Sequence, residues 1–289
     1  MSAPPSRFAL SRILVALDAS PPSLAALNAA AALAARMDAE LAGLFVEDIA
    51  LLRLAESPFA REVLYYSSKE VPLTPASMEA TLRAQSERAR LALASAAERA
   101  RVRWTFRTVR GEVTATVLDA AAEADLLALG THSWSLSRRV RTGSTALEAA
   151  SGSIPVLLIA EHGALPDGLI AVYYDGTPGT DRGLLAAAHL AQTGADNIVV
   201  LIAAKDPEHA ATLHEEASRW VKQANVRVRY RQIDAEDEAG LLRVIKAEKP
   251  GTLVLGGRDA TRKFQRLESG LRDMDLVFLL LDGSNPEAK

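Results

Sequence analysis

The residues best suited to chemistry stand between positions 130 and 145. Gly130-Thr-His-Ser133 is followed by nine residues and then by Gly143-Ser-Thr145. Gly130 lets the chain turn sharply as it leaves a strand. Gly143, Ser144 and Thr145 would open a helix, where free backbone N–H groups and two hydroxyls make a cradle for phosphate. Arg138, Arg139 and Arg141, in the intervening loop, add donors matched to phosphate oxygens. Asp18 ends the apolar run Ile13-Leu-Val-Ala-Leu, and its carboxylate suits ribose hydroxyls. His132 is the other titratable side chain of the segment; it reads either as a local hydrogen-bonder or as a general base. A plainer reading covers the same residues: glycine after a strand and serine at a helix start are ordinary turn and N-cap chemistry.

Other chemistries are disfavoured. There is no Gly-x4-Gly-Lys-Ser/Thr loop, no Gly-x-Gly-x-x-Gly, no Gly-x-Ser-x-Gly elbow and no His-Glu-x-x-His. His209 and His214 near Glu215 would lie about 140° apart on a helix and not share a face. With no cysteine, disulfides, thiolate nucleophiles and zinc–thiolate sites are excluded. A net charge of −3 and a pI near 6.0 supply no field for nucleic acid or an anionic membrane. Aromatic residues, at 5%, are too few for a single-strand stacking platform. The first ten residues hold no apolar stretch of a secretory signal. Apolar runs such as 126–129 and 276–281 are far short of the roughly 20 residues of a membrane helix. The expectation is a cytoplasmic protein.

The elements that must position these residues repeat along the chain. Ile13–Asp18 and Ile170–Asp175 are alike, 157 residues apart, and alanine-rich helical stretches follow both. Leu126–Gly130 and Thr252–Gly256 are alike at an offset of 126. The difference of 31 residues falls between Glu47 and about Met78, where Pro58, Pro72 and Pro75 suggest a loop or lid in part. Strands are expected at 12–18, 40–46, 102–109, 125–130 and 155–160, then at 169–175, 197–203, 226–232, 251–255 and 276–281. Helices are expected at 22–37, 77–100, 112–123 and 144–151, then at 179–193, 207–223, 237–248 and 261–271. Alternating strands and helices mean an α/β fold of two tandem doubly wound domains, 1–162 and 168–289. Arg101–Arg107 and Val226–Arg231 alternate polar and apolar, as edge strands with one wet face do.

Taken together, these residues resemble the universal stress protein family. Its nucleotide signature, Gly-x2-Gly-x9-Gly-Ser/Thr after a strand, is matched by Gly130-x2-Ser133-x9-Gly143-Ser144. Arg12–Ser20 resembles its first strand and acidic tip, and Ser151–Ile159 its last strand. The likeness covers about residues 8–160, and 168–282 look like a degenerate second copy. The resemblance implies five-stranded parallel sheets of order 3-2-1-4-5 and pairing through the fifth strands, here as an intrachain pseudo-dimer with a homodimer also open. It implies ATP or another adenine nucleotide as ligand, with Mg2+ carried by the nucleotide. By position, Asp18 would meet ribose or adenine, Ala16 would sit beside the base, Val46 would offer backbone hydrogen bonds to adenine, and Leu129 would line the base pocket. Gly130, His132, Ser133, Arg139, Gly143, Ser144 and Thr145 would surround ribose and phosphates.

Ser133 departs from the family glycine. Where positive φ is needed, it costs about 1–2 kcal/mol, although its hydroxyl can also bind phosphate. In the second copy Asp259 and Ser269 stand at the glycine positions, and an acid there opposes phosphate. That half is expected not to bind ATP in the family mode and to stabilise the first half, through 154–159 and 276–281. The functional expectation is a stress-response regulatory protein, at most a slow ATPase. The alternative is a protein-interaction scaffold of the same fold, with an unidentified partner engaging residues 47–78, including Tyr65 and Tyr66, or the arginine loop.

Overall fold

The computed structural model describes residues 10–64, 69–130, 155–159, 168–194, 197–224, 226–271 and 273–281. The first half runs β1 (Arg12–Ala16), α1 (Pro21–Met37), β2 (Glu40–Asp48), α2 (Ile49–Ala55), β3 (Arg61–Leu64), β4 (Lys69–Pro72), α3 (Pro75–Ala100), β5 (Trp104–Gly111), α4 (Val113–Ala121), β6 (Leu126–Gly130) and β7 (Val156–Ile159). The second runs β8 (Leu169–Tyr174), α5 (Pro178–Gly194), β9 (Asn197–Ala204), α6 (Pro207–Val221), β10 (Arg227–Asp234), α7 (Glu238–Glu248), β11 (Thr252–Gly256), α8 (Ala260–Glu268) and β12 (Val277–Leu281). The helix expected at 144–151 lies outside the described residues.

Ten strands form one sheet in the order β10-β9-β8-β11-β12-β7-β6-β1-β2-β5. Each half is therefore a doubly wound parallel sheet of order 3-2-1-4-5. The halves meet where β7 and β12 pair antiparallel, Ile159 opposite Val277 and Val156 opposite Leu280. These eight facing residues are all buried. Burial of each large apolar side chain stabilises by about 1.5–3 kcal/mol relative to exposure. That is why both fifth strands read as unbroken apolar runs: in the middle of the sheet, both faces are covered.

Each face of the sheet carries its own core. Helices α1, α3, α5 and α6 pack on one face; α4, α7 and α8 pack on the other, where Phe264 meets Phe278 edge to face. The helices start at recognisable caps. Ser20 caps α1 ahead of Pro21, Thr74 and Ser77 form a capping box at α3, and Asp206 caps α6 ahead of Pro207. The alternating third strands, β5 and β10, are the two edges of the sheet. Their arginines are held by glutamates: Arg110 by Glu47, and Arg229 and Arg231 both by Glu248. Charged, paired side chains on a wet edge discourage addition of another strand.

The extra sequence of the first half is more ordered than a loop. Asp48 caps the short helix α2, and β3 pairs antiparallel with β4 as a separate hairpin. The remainder lengthens α3 to 26 residues against 15 in α6. Proline spacing marked the segment as irregular. It could not reveal α2, whose seven residues are too few to show helical periodicity.

Candidate functional site

In each half the sheet order reverses beside its first strand, so a crevice opens at the carboxyl ends of β1 and β6, and again at β8 and β11. Ligands of open α/β sheets bind at such switch points. The turn after β1 is built by a short relay. Asp18 Oδ1 accepts from Ser20 N–H at 2.9 Å, and Ser23 Oγ donates to Ser20 O at 3.0 Å. Ala19 takes the left-handed conformation with φ 61° to make the corner. The same relay recurs 157 residues on: Asp175 Oδ1 accepts from Thr177 N–H at 3.1 Å, and Thr180 Oγ1 donates to Thr177 O at 2.8 Å. The repeat in the sequence is thus a repeat of hydrogen bonds.

Gly130 ends β6 against the start of α1. A Cβ there would meet the backbone carbon of Pro22 at 2.7 Å and its carbonyl oxygen at 2.8 Å. Gly256 at the end of β11 lies equally tight against Gly179 and Thr180. Both glycines therefore have a packing role: they let the first helix of each half approach the fourth strand. That role holds whatever the glycine does for a ligand.

Ala16, Val46 and Leu129 share one sheet face, the side on which α4 packs. Ala16 pairs with Leu44, two residues before Val46 on β2, and Leu129 lies one step beyond the Val15–Ala128 pair. Val109 and Val113 pack on the same side. Neither was singled out in the sequence; their signal is that β5 alternates and α4 begins directly after it. The structure thus brings Ala16, Asp18, Val46, Leu129 and Gly130 to one rim. His132, Ser133, Arg139, Gly143, Ser144 and Thr145 lie outside the described residues.

The second half has different chemistry at the matching positions. Tyr173 stands where the first half has Ala16, and it is buried in the sheet face. Lys263 Nζ sits 4.5 Å from the Tyr173 ring centre and 3.7 Å from Asp175 Oδ2. Burial, reinforced by Asp175 and Asp259, pushes the Tyr173 hydroxyl up to about 12. Asp175 Oδ1 accepts from Thr177 Oγ1 at 2.7 Å and Thr180 Oγ1 at 3.0 Å. A ring, a lysine and a fully engaged carboxylate occupy this rim. The cause is the shorter connection. Gly130 pairs with Ile159, 29 residues on, and Gly256 with Leu281, 25 residues on. Helix α8 starts at Ala260, almost directly after β11, which swings Lys263 over Tyr173. Ser269, aligned with Gly143 in the sequence, falls at the far end of α8.

His209 and His214 have local partners. His209 Nδ1 accepts from Lys205 N–H at 3.5 Å, and His214 packs edge-on against Tyr230. Among the described residues no group of three or more His, Asp or Glu could hold a metal ion. Among the same residues no helix is long and apolar enough to cross a membrane.

These features define a class: a tandem doubly wound α/β protein whose two switch points carry different side chains. The model of the universal stress protein family matches residues 10–160, and the chain belongs to that family. Solved structures share the fold across both halves. A universal stress protein from Archaeoglobus fulgidus DSM 4304 is 14% identical with a TM-score of 0.70, covering 96% of this chain and 97% of its own. A functionally unknown protein from Pseudomonas aeruginosa PAO1 is 13% identical, TM-score 0.55, covering 95% and 93%. The cytoplasmic domain of a prokaryotic cation chloride cotransporter is 14% identical, TM-score 0.56, covering 94% and 95%. At these identities the likeness is one of fold. A search of curated proteins gave no match.

Proposed function

We propose that the first half, residues 1–162, binds an adenine nucleotide at the rim formed by Ala16, Asp18, Val46, Leu129 and Gly130. Residues 168–289 serve as a non-nucleotide partner joined through β12. The observation that carries this reading is the contrast between the rims. The small Ala16 side chain stands at the position where the second half has Tyr173, with Lys263 over its ring. The acid of the first turn is retained in a relay that fixes its place. The phosphates, with any Mg2+ they carry, fall in this reading to His132, Ser133, Arg139, Gly143, Ser144 and Thr145. A nucleotide held there would act as a regulatory signal in a cytoplasmic stress response. Titration with ATP, ADP and AMP tests the reading, with Ala16→Tyr as the control. Binding by the parent chain and its loss in the variant at unchanged melting temperature support it. A flat titration with all three nucleotides overturns it.

The interaction-scaffold reading has one observation of its own. Phe59 is 88% exposed and Leu54 53% exposed, both in the first-half insertion. Deletion of 49–72 with loss of a captured partner and unchanged nucleotide binding would favour it.

A further inference from the structure

The second half holds a cleft of about 330 Å3 between α7 and α8, at the carboxyl ends of β8 and β10. This volume is at the low end for small-molecule sites, about 300–1,000 Å3. Its floor is formed by buried apolar groups, the Tyr173 ring, Ile233, Leu241 and Leu267, beneath a charged mouth. It lies on the same sheet face as Ala16 and Val46 in the first half, so it is the counterpart of that rim as remodelled by Tyr173 and α8.

The charges on the mouth are unequal. Asp234, Glu236, Asp237 and Glu238 line one wall, and Lys263 and Arg266 the other. Both bases are engaged, Lys263 with Asp175 and Arg266 with Glu238 at 3.9 Å. Asp237 is met by Arg243 at 3.1 Å. Among the described residues no cation pairs with Asp234 or Glu236; Asp234 Oδ1 accepts only the Glu236 N–H. The unbalanced charge over the apolar floor is therefore negative. A phosphate-bearing ligand is repelled there, and a compact cation with an apolar body has both of its parts matched.

We propose that this cleft binds small organic amines, with the apolar body against Tyr173, Ile233, Leu241 and Leu267 and the ammonium at Asp234 and Glu236. Lys263 competes for the same ring and for Asp175, so it limits the affinity of the site. The inference is independent of nucleotide binding in the first half.

The test is calorimetric titration of the full chain with three near-isosteric probes: phenethylamine, 2-phenylethanol and 3-phenylpropionate. Phenethylamine is expected to bind at least about tenfold more tightly than the alcohol, and the acid not to bind. Ala235 and Glu236 are exposed, so substitutions there leave the fold intact. Ala235→Trp fills the cleft and should abolish binding; Glu236→Gln should weaken it several-fold. Lys263→Ala should tighten it, an effect of opposite sign that mere structural damage does not produce. Three outcomes overturn the proposal: no heat with phenethylamine into the tens of millimolar, equal binding of the three probes, or wild-type affinity in Ala235→Trp.

Discussion

Replacing Gly130 by alanine should destabilise the first half although it adds only one methyl group. The added carbon would lie 2.7–2.8 Å from three atoms of Pro22, two of them backbone. Pro22 stands in the first turn of α1 between Ser20 and Ser23, so it cannot move without disturbing the relay that holds Asp18. Overpacking of this kind costs about 1–3 kcal/mol. Alanine also restricts the unfolded chain, which offsets about 0.4–1 kcal/mol. The net loss is about 1–2 kcal/mol, or a fall in urea midpoint of roughly 0.3–0.7 M at a slope of about 3 kcal/mol/M. Gly183→Ala is the matched control. Its Cβ would meet Val254 at 3.5 Å, an ordinary contact, in the interior of α5. That variant should gain about 0.5–1 kcal/mol. If Gly130→Ala were as stable as the parent while Gly183→Ala behaved as expected, the close-approach argument would be wrong.

Other consequences can be measured on the same scale. Ser20→Ala removes a helix cap and should cost about 1 kcal/mol; a neutral result in urea denaturation would show that the relay is dispensable. Residues 1–163 expressed alone expose β7, so they should self-associate or melt earlier than the full chain; a monomer with unchanged melting temperature would count against the β7–β12 join. Burial raises the Asp181 carboxyl, opposed by hydrogen bonds from Tyr174 and Trp220. Its contribution to stability is thus full below the unfolded value, 3.8, and declines as pH rises through the higher folded value. Asp181→Asn should therefore gain stability at pH 7, by less than about 1 kcal/mol at this half-buried site, and lose the gain near pH 3. Equal effects at both pH values would refute the assignment.

The sheet was legible because its strands carry strong local signals. Leu126–Leu129 and Val156–Ile159 are apolar throughout and lie in the middle of the sheet, covered on both faces. The arginine-alternating strands proved to be the edges for the converse reason. The offset of 157 also carried the Asp18 and Asp175 turns, since serine and threonine build the same relay. What stayed hidden depends on contacts distant in sequence. Nothing around Tyr173 indicates that Lys263, 90 residues later, will lie on its ring. Nor does Gly130 announce Pro22 as its neighbour; the glycine read equally well as part of a phosphate loop. Glu248, which holds two edge arginines, is an unremarkable helix residue until α7 is laid beside β10.

The central claim is that the first half binds an adenine nucleotide at a rim that Tyr173 and Lys263 reshape in the second. Its most direct test is to denature the freshly purified chain and quantify any released nucleotide by mass spectrometry, followed by titration with millimolar Mg-ATP. The account predicts an adenine nucleotide approaching one per chain, or saturable uptake in the titration, and neither in Ala16→Tyr. No released nucleotide and a flat titration of the parent chain would contradict it.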